Sequence, residues 1–265
     1  MTVRDAVDYH GRNMSPADDG RFQESTESAV HLLVGEERLA LGGRAPDIRR
    51  HRHAAPAVIV GVDGPLRLVA DRTHETRACL IAPGFSHAVD AGGGRIAVFL
   101  LPAYALSGSG SELRDLSASS SWVELGDAVV RQELDGFDPV DRLLARERLG
   151  TRPVDERLHV AIRALAGALD ENVSMEEIAS AARLSPSRLM ALAREQLGTS
   201  LRPYRRWLRA FDVARTYAAG ASLTEAAIAA GFSSSAHLSI AAREQFGIRP
   251  SDVLVPQHRA LIRTI

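Results

Sequence analysis

The chain has 265 residues, 32 of them basic and 33 acidic, for a net charge of −1, and 45% are hydrophobic; that is enough for two domains with sizeable cores. No stretch approaches the ~20 consecutive apolar residues needed to span a bilayer, which excludes a helical membrane protein. A single cysteine, Cys79, excludes an internal disulfide, so nothing calls for an oxidising compartment and the expected location is cytoplasmic.

In chain order, residues 1–28 form a polar segment without the apolar core of a signal peptide. From 29 to 104 the pattern is that of short strands broken by turns. Leu32–Val34, Arg38–Leu41, Ala57–Val62, Leu66–Val69, Cys79–Ala82 and Ile96–Leu101 are the apolar runs. Asp63-Gly64, between two of them, is a hairpin signal, and Pro83-Gly84 and Gly92-Gly93-Gly94 mark further turns. Several short strands at this spacing predict a β-sandwich or small barrel. The order His51-Arg52-His53, hairpin, Pro83-Gly84-Phe85-Ser86-His87, strand resembles a cupin barrel.

On a strand, positions i and i+2 share a face, so His51 and His53 are expected to point together into such a barrel, with His87 joining them. Three imidazoles suit zinc or another borderline transition metal. Metal-binding cupins add a glutamate, and Ala54, Ala55, Pro56 and Ala57 stand in that neighbourhood instead. The expectation is therefore a pocket for an organic ligand lined by His51, His53 and His87, with no metal and no cofactor. Titration of these histidines would make ligand binding pH-dependent near neutrality. Cys79, in an apolar strand, reads as a buried small residue.

Residues 105–153 read as a linker followed by a helical region. Leu106–Ser121 is rich in serine and glycine, and Trp122–Leu149 carries apolar faces at Val123, Val130, Leu134, Leu143, Leu144 and Leu149. Packing against the barrel and a role in domain coupling or dimerisation are both open for it.

From 154 onward the chain repeats itself. Ser174–Ser185 is restated at Ser222–Ser233, a register of 48 residues, and Arg194–Gly198 is restated at Arg243–Gly247, a register of 49. In each copy a serine and a glutamate three residues on (Ser174 and Glu177, Ser222 and Glu225) spell a capping box. Ser185-Pro186 starts a second helix in the first copy, and Ser233 or Ser234 does so in the second. Gly198 and Gly247 end those second helices. Each copy is a helix-turn-helix, at about 174–198 and 222–247. Between them, Leu201, Tyr204, Leu208 and Phe211 recur at helical spacing. Such a helix of about 20 residues is roughly 30 Å long, close to the ~34 Å between successive major-groove entries on one side of a duplex. Arg202, Arg205, Arg206 and Arg209 recur on an adjacent face, where they are expected to meet phosphates.

The stretch from about Leu158 to Val255 resembles the DNA-binding domain of the AraC/XylS family of bacterial transcription regulators. The residues that carry the resemblance are Ile178-Ala179, Leu184–Leu189, Leu197-Gly198, Tyr204-Arg205-Arg206, Ala227–Phe232, His237-Leu238-Ser239, Phe246-Gly247 and Pro250-Ser251. Two departures stand out: Ile240 where the family often has a basic residue, and Ala242 where it often has an aromatic. The resemblance implies an α+β protein with a cupin-like sensor in front of an all-α domain of two helix-turn-helix units joined by a linker helix. It implies base-edge and phosphate contacts from Ser187, Arg188, Met190, Ala191 and Arg194 in the first unit, and from Ser235, Ala236, His237, Ser239, Ile240 and Arg243 in the second.

The charge agrees: from Asp155 onward 14 arginines face 11 acids, a net of +3, which leaves −4 for the front. An acidic front keeps a sensor off DNA. The expected function is a sequence-specific transcription regulator controlled by a small-molecule effector in the barrel. Double-stranded DNA, RNA polymerase and a second copy of the chain are its candidate partners. The competing reading is a metal-dependent cupin enzyme fused to a DNA-binding module. The missing carboxylate and the lack of a nucleophile-plus-base signature weigh against it, and no enzyme activity is expected.

Overall fold

The computed structural model describes residues 29–105, 113–149, 154–169 and 173–265. The polar segment predicted at 1–28 and parts of the predicted linker (106–112 and 150–153) lie outside the described residues.

The front of the chain folds into two sheets. Their strands are β1 (Val30–Val34), β2 (Leu39–Arg44), β3 (Ile48–Arg52), β4 (Ala57–Gly61), β5 (Leu66–Val69), β6 (Thr73–Thr76), β7 (Ala78–Ile81), β8 (Ser86–Asp90), β9 (Arg95–Leu100), β10 (Leu113–Asp115) and, from the far end of the chain, β11 (Ile262–Thr264). The larger sheet runs β10-β7-β4-β9-β2-β1-β11 and the smaller β3-β8-β5-β6. Ile48, Leu66, Leu68 and Val89 of the smaller sheet meet Ile59, Cys79, Ile81 and Ile96 of the larger in one apolar layer. Burial of the Cys79 thiol in that layer pushes its pKa up to about 12, so it is an inert core group.

The Asp63-Gly64 turn does not close a hairpin. β4 pairs with β7 and β9, and β5 pairs with β6 and β8, so the chain changes sheet at this corner. The Asp63 carboxylate accepts from the Arg95 backbone N–H at 2.8 Å and from its guanidinium at 2.5 Å, which fastens the corner to β9.

Helix α1 (Ser120–Val130) lies across the outer face of the larger sheet, and α2 (Asp138–Arg146) packs on it. Trp122, Leu125, Val129, Val140 and Leu144 bury against Val58, Val60, Ala97 and Phe99. Of the two uses open for this region, packing on the barrel is the one that accounts for its apolar face.

The rest is helical: α3 (Glu156–Ala166), α4 (Met175–Ala181), α5 (Pro186–Leu197), α6 (Leu201–Ala218), α7 (Leu223–Ala229) and α8 (Ser235–Phe246). Both capping boxes form, with Ser174 and Ser222 each accepting from the glutamate N–H at 3.2 Å. Ser185 caps α5 and Ser234 caps α8, and Gly198 and Gly247 end them at φ 67° and 71°. The residue that turns each corner is Arg183 at φ 53° and Gly231 at φ 80°, still 48 apart. The inserted residue of the second unit therefore sits after Phe232, in the run Ser233-Ser234 ahead of α8.

The two halves share a core. Val30, Leu32, Val34, Leu39 and Leu100 of the larger sheet join one apolar cluster with Leu158, Leu201, Tyr204, Trp207, Phe211 and Leu238 of the helices. The chain end then returns to the front half: β11 adds to the larger sheet parallel to β1, with Leu32 opposite Ile262. Tyr204 Oη donates to Glu37 at 3.1 Å and the Arg215 guanidinium to the Gly35 carbonyl at 2.8 Å, so α6 is tied to the β1–β2 turn.

Candidate nucleic-acid interface and the cavity behind it

The second helices of the two units, α5 and α8, bury one face and expose the other. In α5, Leu189, Leu192, Ala193 and Leu197 are buried, while Ser187, Arg188, Met190, Ala191 and Arg194 are exposed. In α8, Leu238, Ala241, Ala242 and Gln245 are buried. Ala236, Ile240 and Arg243 are exposed and Ser235, His237 and Ser239 half-buried. Met190 and Ile240 are 41% and 54% exposed, as are Ile228 on α7 and the terminal Ile265, at 53% and 54%. His237 is partly engaged at its own helix start, where its Nδ1 lies 3.1 Å from Ser233 Oγ.

The linker arginines divide. Arg202 is exposed, and Arg206 makes a 2.9 Å ion pair with Glu244 of α8. Arg205 and Arg209 depart from the expected phosphate-facing row. Arg205 donates to the Val173 carbonyl at 2.8 Å and Arg209 Nε to the Leu169 carbonyl at 2.7 Å, at the two ends of the α3–α4 connection. Leu169 lies just past the C-terminal end of α3, where carbonyls are short of partners and carry partial negative charge, so a guanidinium is drawn there. Val173 instead precedes the Ser174 cap of α4, and its carbonyl accepts from Arg205 as an ordinary loop acceptor. Burial also lowers the Arg205 pKa. Gly231 leaves room for this: a Cβ there would lie 2.6 Å from the Leu169 oxygen and 2.8 Å from Arg209 Nη2. These contacts are local to the fold and invisible in a helical wheel.

The three predicted histidines do come together. His51 on β3 pairs across the ladder with His87 on β8, and His53 follows β3. Ring centroids are 4.2 to 5.0 Å apart, and His51 Nε2 lies 2.7 Å from His53 Nε2. All three are buried. Burial, reinforced by its neighbours, drives the His51 pKa down to about 3 and the His87 pKa to about 4, and holds His53 well below the usual value. They are neutral imidazoles at physiological pH. The expectation that they titrate near neutrality is corrected on that ground.

His51 and His53 line one end of a cavity of about 120 Å³. The sheets provide one wall through Leu41, Ile59, Val98 and Leu100; the helical domain provides the other through Phe211, Leu238, Phe246 and Val253. His87 is not in its wall. A single water needs roughly 10–15 Å³ by this measure, so there is room for a small organic molecule. Among the described residues the two histidines are the only ionisable groups on the lining, which selects for apolar or weakly polar ligands. The helical wall escapes sequence reading because its residues have an ordinary helix-core periodicity and lie over 100 positions from the strands they face.

Gly247 sits where the halves touch. Its carbonyl accepts from the Arg49 N–H at 3.0 Å, and a Cβ there would collide with the Arg49 carbonyl and lie 2.7 Å from His51 Nδ1.

Residues 178–254 match a family model described as a helix-turn-helix domain. A comparison with curated proteins finds no match. Among solved structures, the chain is similar to ToxT from Vibrio cholerae O395, with a TM-score of 0.59 at 12% identity over 82% of this chain and 97% of that one. ToxT of Vibrio cholerae strain SCE256 with an unsaturated fatty acid bound gives 0.52 at 13% identity, over 85% and 93%. A Chromobacterium violaceum transcriptional regulator described as containing an AraC-type DNA-binding domain matches at 27% identity and a TM-score of 0.35, over 40% of this chain and 90% of that one. At 12–13% identity the likeness to ToxT is one of fold.

Proposed function

We propose that the chain is a sequence-specific DNA-binding transcription regulator controlled by a small organic effector, a reading supported by the match of residues 178–254 to a helix-turn-helix family model. The observation that carries it is the duplication: two units with the same caps and turns expose equivalent helix faces on either side of an 18-residue helix. At about 1.5 Å per residue α6 is roughly 27 Å long, near the spacing of consecutive major grooves. α5 and α8 are the readers. Arg188, Ser187, Met190 and Ala191 of α5, and Ser235, Ala236, His237, Ser239 and Ile240 of α8, face base edges. Arg194, Arg243, Arg202 and Arg206 serve phosphates; Arg205 and Arg209 hold the α3–α4 connection instead.

The effector belongs in the cavity between sheets and helices. A ligand there touches both halves, so its affinity depends on how they are docked, which is what control of DNA binding requires. The lining supports an apolar or amphipathic molecule, and the fatty acid carried by the similarly folded ToxT is of that chemistry. In domain terms we take 29–104 as the sensor, 105–153 as the coupling region and 154–265 as the DNA-binding domain. The chain acts by binding rather than by catalysis, with RNA polymerase and a second copy as the further partners such a role entails. The test is selection of the full chain against random duplexes, followed by a thermal-shift screen of apolar acids and neutral hydrophobes. A single enriched sequence family and a ligand whose effect is lost in Val98→Trp, which fills the cavity, support the reading. No enrichment overturns the DNA assignment; a ligand indifferent to Val98→Trp overturns the cavity.

A further inference from the structure

We propose that His51, His53 and His87 form a three-imidazole site for one divalent transition-metal ion of the zinc class. Their candidate donor atoms all lie within 4.8 Å of one another, and all three side chains are buried. A tetrahedral ion with nitrogen ligands at about 2.0–2.1 Å sets those atoms about 3.4 Å apart, so the widest pair has to close by at most about 1.4 Å and the His51–His53 pair has to open.

The protons argue the case. His51 Nδ1 lies 2.8 Å from the Arg49 carbonyl and His87 Nδ1 lies 3.1 Å from the Phe85 carbonyl. A carbonyl only accepts, so each Nδ1 carries the hydrogen and each Nε2 presents a bare lone pair. Ligating histidines are oriented in this way, the outer N–H held by a backbone carbonyl and the inner nitrogen left for the metal. Without a cation the cluster has one proton to share between His51 and His53. It leaves His87 Nε2 and His53 Nδ1 buried with no hydrogen-bond partner among the described residues. A cation at the centre takes one nitrogen of each ring, so it satisfies His87 Nε2 and replaces the proton shared by His51 and His53; a His53 that ligates through Nε2 keeps an Nδ1–H without a partner among the described residues.

The missing glutamate is no obstacle. Three histidines with water or hydroxide in the fourth position make a complete zinc site. Imidazole donors favour zinc, copper, nickel and iron over magnesium and calcium. The site also has a route to the DNA-binding half: the His53 ring lies 5.7 Å from Trp207 of α6. This inference stands on the histidine geometry alone and does not depend on the effector reading.

The test uses the full chain, stripped of metal by chelator and titrated with Co²⁺ and then Zn²⁺. The expected result is one equivalent of Co²⁺ per chain, with the intense visible bands of tetrahedral nitrogen–oxygen coordination, displaced by Zn²⁺, and a raised thermal midpoint. His53→Ala and His87→Ala should each weaken binding at least about tenfold, while His74→Ala, on an exposed strand position, should bind as the unaltered protein does. The unaltered protein's cobalt spectrum decides the matter even where a histidine variant does not fold. Absence of stoichiometric uptake, a thiolate-to-cobalt band from Cys79, or equal loss in His74→Ala would overturn the proposal.

Discussion

Arg183 and Gly231 occupy the same corner of the two helix-turn-helix units, and only one of them suits it. Both have positive φ, which disfavours any side chain with a Cβ by roughly 1–2 kcal/mol. Arg183 is exposed, so its side chain has little packing to lose. Arg183→Gly should raise stability to urea unfolding by up to about 1 kcal/mol; a loss of stability would contradict the assigned conformation. Arg188→Ala should cost about 1–3 kcal/mol of DNA affinity if it reads a guanine, and relax preference at one base pair. Unchanged affinity and preference would remove it from the reading face. Arg209→Ala should lower stability by about 1–2 kcal/mol, through loss of the charged hydrogen bond to the Leu169 carbonyl. The salt dependence of DNA binding should stay as it is. A flatter salt slope with unchanged stability would return Arg209 to the phosphates. The serine caps, paired glutamates and stop glycines were legible in the sequence because each acts within four residues of itself. Arg205 and Arg209 were not, because their partners are carbonyls of a connection some 30 to 40 residues earlier.

At the scale of elements, the repeat made α4, α5, α7 and α8 readable, since capping and a 3.6-residue period agree at each. The apolar strands β1, β2, β4, β5, β7 and β9 were readable from their runs. Thr73–Thr76 is largely exposed and offers no such run, and Leu113–Asp115 has three residues at an edge. β11 is the clearest case of a strand made by its partner. Ile262–Thr264 follows a 3-10 segment at the end of a helical domain, and only the open edge of β1 makes it a strand. It is also fastened by Arg263, whose guanidinium donates to the Leu134 carbonyl at 3.1 Å and pairs with Asp135 at 2.9 Å. Removing residues 262–265 should therefore speed backbone amide exchange in β1 and at the β1–α6 contact, with little change in the helix-turn-helix units. Unaltered exchange in β1 would mean that the tail contributes nothing to docking.

For the whole molecule, the sequence predicted a sensor and a reader as separate units and placed the ligand pocket within the barrel. The structure closes that pocket with the helical half: α8 packs on β3 and α6 on β1, and their apolar side chains share one cluster with Val30, Leu32, Leu39 and Leu100. A core shared by both halves couples them, so in the proposed reading a ligand in the cavity and a duplex on α5 and α8 would bias one common arrangement. That account stands or falls on two readers set one helical turn apart. The direct measurement is a hydroxyl-radical footprint of the full chain on a duplex selected from random sequence. The account predicts two protected patches on one face, centred about 10 base pairs apart, with Arg188→Ala loosening sequence preference in one patch alone. A single patch, or protection indifferent to sequence, would contradict it.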